Sequence, residues 1–274
     1  MRYHSRRISY DTSHSLDTVP AEVNSTMYFE GGVLVVIPAR NAAQTLQRSI
    51  EDIPRQNVEQ ILLVDDCSTD GTPVLARKLG LTVVEHNDSV GYGGNQKTCF
   101  EHALEHYADY IAVVHPGNHY NAGAVTAAVE LLGQDVCDFV VGSRIRSCRE
   151  AMSAGLSRRK YTANRIGTAI RNTVFGQNLG EYHGGFKVFR RQLLEIVPFE
   201  RNCNGPGFDD QFLAQASYLG FRIADIPVVP NQFPESSQRP LVQSIGRSAR
   251  TARTLFEYAT ARVGLSRSRV FQPR

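Results

Sequence analysis

The chain has 274 residues, a formal net charge of +3 and 42% hydrophobic residues, enough to bury one large core or two small ones. No apolar run approaches the roughly 20 residues needed to span a bilayer. The five cysteines (Cys67, Cys99, Cys137, Cys148, Cys203) are scattered and never spaced C-x-x-C, which argues against a disulfide framework or zinc cage and for reduced thiols in the cytoplasm.

Residues 1–30 are polar and lack the apolar stretch of a secretory signal, so they read as a flexible extension. Val33-Leu34-Val35-Val36-Ile37 then reads as a strand buried on both faces, closed by Pro38-Ala39-Arg40-Asn41. Leu46, Ile50 and Ile53 give the next segment a helical apolar face. A second buried strand, Ile61 to Val64, runs into the paired carboxylates Asp65 and Asp66 and a Cys-Ser-Thr-Asp-Gly turn. The spacing predicts a helix over 73–79, with Thr72 as N-cap, Pro73 at the first helical position and Gly80 as the stop.

Further strands are expected at Leu81–Glu85, Tyr110–Val114 and Phe139–Val141, each reached through a helical stretch. Strand–helix–strand at these intervals implies right-handed crossovers and a mostly parallel sheet flanked by helices, a Rossmann-like α/β class. In such a sheet the ligand crevice lies at the carboxyl ends of the strands, where Asp65 and Asp66 stand, although Asp is also common in loops for turn chemistry alone. Past Gly142 the rhythm changes to a basic loop, a helix near 160–175, a glycine-rich 184–187, a helix after Phe208 and strands near 221–233. From Arg239 onward eight arginines face one acid, Glu257, with Leu241, Ile245, Leu255, Phe256 and Tyr258 interleaved. That is a basic amphipathic helix, suited either to packing on the domain or to an anionic membrane face. No recognition motif for nucleic acid accompanies it.

Three ligand classes compete for the crevice. A dinucleotide fold needs G-x-G-x-x-G after the first strand, and Pro38-Ala39-Arg40-Asn41 stands there instead. A P-loop at Gly91–Thr98 has the terminal Lys97-Thr98, but Gln96 replaces the glycine before the lysine. The third class fits. Val-Ile-Pro-Ala-Arg-Asn (36–41), Val-Asp-Asp-Cys-Ser-Thr-Asp-Gly-Thr (64–72) and Asn87 ahead of a glycine-rich turn resemble the family 2 glycosyltransferases of GT-A fold. Gly-Tyr-Gly-Gly-Asn-Gln-Lys-Thr-Cys (91–99), Gly-Ser-Arg (142–144), Lys-Tyr-Thr-Ala-Asn-Arg (160–165) and Glu-Tyr-His-Gly-Gly-Phe-Lys (181–187) resemble its polyprenyl-phosphate sugar transferase branch, related to dolichyl-phosphate mannose synthases.

The resemblance implies a GT-A domain over 31–235 with an acceptor-side region near its C-terminal end, and a basic helical tail over 236–274. It implies that Pro38, Ala39, Asn41, Asp65, Asp66, Asn87 and Lys97 serve the nucleotide sugar, with Arg144 facing the diphosphate. Arg159, Arg165 and Lys187 would face an acceptor phosphate, and Asp209 or Asp210 would be the catalytic carboxylate beside the acceptor, taking the proton where the acceptor is an alcohol. A divalent metal, Mn²⁺ or Mg²⁺, belongs to the family pattern, held by an Asp-x-Asp-like motif after the fourth strand.

Here that place reads Val-His-Pro-Gly-Asn-His-Tyr (114–120), so Gly117 stands where a ligand carboxylate is expected. His115 and His119 are the remaining candidate ligands, and imidazoles suit softer ions better than Mg²⁺. Gly184 also replaces an expected hydroxyl-bearing residue, and Gly205-Pro206-Gly207 an acidic pair. Two readings follow from these departures. One is an inverting transferase with altered or absent metal dependence, acting on a lipid-phosphate or small-molecule acceptor, with peripheral membrane contact through the tail. The other is a non-catalytic or repurposed nucleotide-sugar-binding homologue in a specialised pathway.

Overall fold

The computed structural model describes residues 31–117, 121–182, 184–229, 241–266 and 268–274, with backbone alone for 241–248. The expected extension 1–30 and the expected boundary at 235/236 lie outside the described residues. In chain order the elements are β1 (Val33–Ala39), α1 (Ala43–Glu51), β2 (Val58–Asp65), α2 (Thr72–Lys78), β3 (Thr82–Glu85), α3 (Gly91–Glu105), β4 (Tyr110–Val113) and α4 (Ala124–Gly133). There follow β5 (Phe139–Ser143), α5 (Cys148–Ser153), α6 (Arg158–Phe175), β6 (Lys187–Arg190), α7 (Arg191–Ile196), α8 (Phe208–Tyr218), β7 (Ile223–Pro227) and α9 (Leu241–Arg262).

The strands form one sheet in the order β3-β2-β1-β4-β6-β5-β7. Every pairing is parallel except those of β6, which runs antiparallel to both β4 and β5. This reversal matters for the site. It places the first residue of β6, Lys187, at the same sheet edge as the last residues of β1, β2 and β4.

Alternation along the buried strands splits the core into two layers. Leu34, Val36, Leu62, Val64, Ile111 and Val113 face α3, α7 and α8. Val35, Ile37, Leu63 and Ala112 face α1 and α4, where Leu46, Ile50, Val125 and Val129 are buried. The first layer is dominated by aromatic rings. Phe212 lies 5.0 Å from Phe100 and 5.9 Å from Phe208, centroid to centroid, within the usual range for ring pairs.

The start of α2 differs from expectation by one residue. Gly71, not Thr72, is the N-cap of α2, with φ +81°, a left-handed conformation that glycine adopts without cost. Thr72 instead donates its hydroxyl to Asp70 at 2.5 Å and accepts the Ala42 amide at 2.8 Å, which stitches α2 to the start of α1. The helix does end as expected, with Gly80 left-handed at φ +78°.

The basic tail packs on the domain along one face. Thr251, Thr254, Tyr258 and Ala261 of α9 are buried, and α9 contacts α6 and α8. At this junction Arg171 Nε lies 3.3 Å from Asp210 Oδ1, and the Thr251 hydroxyl donates to Asp210 Oδ2 at 2.6 Å. Asp210 therefore ties three helices together. Removing one member of a buried pair strands the other, at a cost of about 3–5 kcal/mol. Asp210→Ala is expected to lose that much stability in urea denaturation, whereas a loss of about 1 kcal/mol or less, typical of an exposed pair, would contradict the assignment.

Candidate functional site

The carboxyl ends of β1 and β2 are laced together by the loops that follow them. Asp65 accepts the Ser68 hydroxyl at 2.5 Å and the Ser68 amide at 2.8 Å. The Asn41 amide donates to Ser68 Oγ at 2.7 Å, and Asn41 Oδ1 accepts the Thr69 amide at 2.9 Å. Asn41 holds φ +50° to do this, in a region that asparagine tolerates better than most side chains. Pro38 and Ala39 lie in β1 beside this lacing, in register with Val64 and Asp65.

Asp66 turns the other way. Its buried carboxylate accepts the Val90 amide at 2.7 Å and the Ser89 hydroxyl at 3.0 Å, with Arg40 Nη1 at 3.4 Å and His86 Nδ1 at 3.6 Å. It thus joins the ends of β2 and β3 to the start of α3. Asn87 is exposed on the same rim. Beneath them the Asn95 amide donates to the carbonyls of Ala39 and Val64, which seats α3 on the ends of β1 and β2.

A second cluster lies at the same edge. Lys187 Nζ, fully buried, donates to Asp209 Oδ1 at 2.7 Å, and the Tyr92 hydroxyl donates to Asp209 Oδ2 at 2.6 Å. His115 Nε2 lies 3.2 Å from the Tyr92 hydroxyl and 3.2 Å from Gln96 Nε2, and its ring stacks on Tyr92 with an 18° interplanar angle. Burial pushes the Asp209 carboxyl up. The charge and hydrogen bond of Lys187, the Tyr92 hydroxyl and the nearby His115 outweigh it and hold the carboxyl below its ordinary value.

Glycines make this packing possible. A Cβ at Gly93 would lie 2.2 Å from the Cys203 carbonyl oxygen, and the Gly93 amide donates to the Asn204 carbonyl at 2.7 Å. The glycine-rich turn thus serves close approach of α3 to the 203–204 backbone. Lys97, the end of the P-loop-like string, reaches Asn204 Oδ1 at 2.7 Å, and burial pushes its ammonium down. A Cβ at Gly184 would lie 2.0 Å from the Gly142 carbonyl oxygen, so no hydroxyl-bearing side chain fits that position without moving the backbone.

The adjacent carboxylates Asp209 and Asp210, equal candidates by sequence, have separate places: Asp209 joins the strand-edge cluster and Asp210 the helix junction. The resemblance gives Lys187 to an acceptor phosphate, but its ammonium is committed to Asp209. Arg144 is similarly engaged, its guanidinium and amide both donating to the buried carboxylate of Glu181. Arg165 donates to the Gly180 carbonyl at 2.7 Å, and Arg159 is exposed. His119 lies outside the described residues, and among those described no three His, Cys, Asp or Glu side chains converge as a metal site. Tyr92, Gln96 and Glu181 received no role from sequence, although Tyr92 and Gln96 stand four residues apart on one face of α3.

Residues 34–197 match the family described as Glycosyl transferase family 2, and the chain belongs to that family. It is 25% identical over 213 residues to the glycosyltransferase AglJ of Haloferax volcanii, an alignment covering 76% of this chain and 66% of that one. It is 20% identical to the UDP-N-acetylglucosamine–dolichyl-phosphate N-acetylglucosaminyltransferase of Methanococcus voltae, covering 72% and 84%. The hexosyltransferase Agl6 of Haloferax volcanii, 24% identical, is matched over 75% of this chain but only 46% of its own length. Among solved structures, glucosyl-3-phosphoglycerate synthase of Mycobacterium tuberculosis with UDP superposes at a TM-score of 0.64, with 19% identity and coverage of 89% of this chain and 86% of that one. The fold is therefore of the expected GT-A type.

The depressed Asp209 carboxyl has a consequence for stability. Its stabilising charge is fully present above the ordinary value of 3.8 and is lost as pH falls through the lower folded value. The unfolding free-energy gap between wild type and Asp209→Asn is expected to narrow as pH drops from about 6 to below about 3. A gap constant over that range, measured by urea titration, would show that Asp209 is not held ionised by Lys187.

Proposed function

We propose that the chain moves a sugar from a nucleotide sugar onto a phosphate-bearing acceptor, with the nucleoside lodged beside Asp66 and the acceptor beside Asp209. The observation that carries this reading is the Lys187–Asp209–Tyr92–His115 cluster, at the same sheet edge as the Asp65 and Asp66 loops. Pro38, Ala39, Asn41 and Asn87 border the nucleoside side, where Asp66 accepts from base or ribose donors. In the transfer an acceptor oxygen attacks the anomeric carbon, a new C–O bond forms, the bond to the nucleoside diphosphate breaks, and the configuration inverts.

The state of Asp209 bears on the acceptor. A carboxylate held below its ordinary pKa is a weak proton acceptor, whereas a phosphate oxygen arrives already ionised and needs no general base. Positioning then supplies most of the rate. Relatives named as transferring hexose or N-acetylglucosamine to dolichyl phosphate support a phosphate acceptor, as do neighbours solved with phosphoglyceric acid.

Those neighbours carry Mn²⁺ or Mg²⁺ with UDP. In this chain Gly117 offers no side-chain ligand, and His115 Nε2 lies within reach of Tyr92 and Gln96. The described donor set does not fit such an ion, and no step here is routed through one. For the tail, exposed Phe256, Val263 and Leu265 near Arg253 and Arg262 favour contact with an anionic membrane surface. No described helix is long and apolar enough to cross a membrane.

A second reading, binding without transfer, draws support from Arg144 and Lys187, both engaged by internal carboxylates. Release of nucleoside diphosphate separates the two. Purified protein is incubated with UDP-, GDP- and dTDP-sugars and either a polyprenyl phosphate or a soluble phosphate ester, with divalent metal or EDTA. At least one pairing is expected to turn over, falling about 100-fold in Asp209→Asn, which leaves Lys187 and Tyr92 without their shared carboxylate and misplaces the acceptor, and about tenfold in Tyr92→Phe, which deletes one charge-assisted hydrogen bond. Donor binding without release in every pairing would establish the second reading.

A further inference from the structure

A cleft of about 310 Å³ opens between the start of α8, the middle of α9 and the 201–203 segment, lined among others by Arg201, Arg250, Arg253, Gln211 and Glu257. It lies away from the cluster around Asp209. Asp209 and Gln211 are two residues apart on α8, about 200° around the helix axis. Asp209 turns to Lys187, while Gln211 accepts the Cys203 amide at 2.7 Å.

The cleft is electrostatically unbalanced. Three guanidinium groups share it with one carboxylate, Glu257, which is taken by Arg253 Nε at 2.8 Å. Arg201 donates to the carbonyls of Arg269 and Gln272, which orients its guanidinium without neutralising it. The Arg250 side chain is exposed and has no hydrogen-bond or ion-pair partner among the described residues. Gly207, the N-cap of the 11-residue helix α8, forms part of the wall and adds the partial positive charge of that helix end. Arginine forks match phosphate oxygens two at a time, and the volume lies at the lower end of small-molecule pockets, roughly 300–1,000 Å³.

From this arrangement we infer that the cleft binds a phosphate group, carried by a small soluble ligand or by a lipid headgroup, with Arg250 as its principal contact. The inference goes beyond sugar transfer and stands whether or not the chain transfers sugar.

The test uses the full chain without added nucleotide, because UDP carries phosphate of its own and would compete for the cleft. Dependence on Arg250, which lines the cleft and not the crevice at the strand ends, assigns the binding. Calorimetry with inorganic phosphate addresses the soluble source. Co-sedimentation with phosphatidylcholine vesicles with and without phosphatidic acid addresses the lipid source. Arg250→Glu and the milder Arg250→Gln, both at an exposed position, are compared with wild type after their thermal midpoints are shown to match. Saturable binding to either probe is expected in wild type, weakened at least about tenfold in Arg250→Glu, the loss of one charge-assisted contact. The probe that shows this dependence identifies the source. Binding that is equal in wild type and both variants, or absent with both probes, would overturn the inference.

Discussion

The buried pair of Lys187 and Asp209 is the constraint on which the site's geometry turns. An ammonium and a carboxylate removed from water together are tolerable only when held in close contact and further hydrogen-bonded. The first residue of β6 and the first turn of α8 must therefore meet, at 2.7 Å. The reversed direction of β6 makes this possible, since it delivers Lys187 to the edge where the parallel strands end. With the second Asp209 oxygen occupied by Tyr92, α3 is drawn into the same junction.

Helix α3 is the bridge between the two halves of the crevice. Its N-terminal region touches Asp66 through the Val90 amide, its second residue touches Asp209, and its fifth spans the carbonyls at the ends of β1 and β2. Close approach of Gly93 to the 203–204 backbone fixes the helix at the depth these contacts require. The glycine run is thus explained by backbone packing.

Much of the fold was legible because parallel strands buried on both faces are written as continuous apolar runs, as in Val33–Ile37 and Ile61–Val64. The strand-end position of Asp65 and Asp66 followed from the same pattern. Strand β6 and its antiparallel direction did not, since the four residues Lys187–Arg190 behind a glycine-rich stretch are too short to carry a periodic signal. Nor could sequence separate Asp209 from Asp210. Neighbours on a helix differ by about 100° in direction, and only the packed partners show that one meets Lys187 and the other Arg171. Arg144 and Lys187 read as free cations because their carboxylate partners are 37 and 22 residues away in sequence.

The central claim is that the crevice above β1 and β2 holds a nucleoside diphosphate through the loop organised by Asp66. Isothermal titration calorimetry of the purified chain with UDP, GDP and dTDP tests it most directly, repeated with Asp66→Ala. Saturable heat from at least one nucleotide, lost in the variant, is the result this account requires. No heat from any of the three, or heat undiminished by Asp66→Ala, would contradict it.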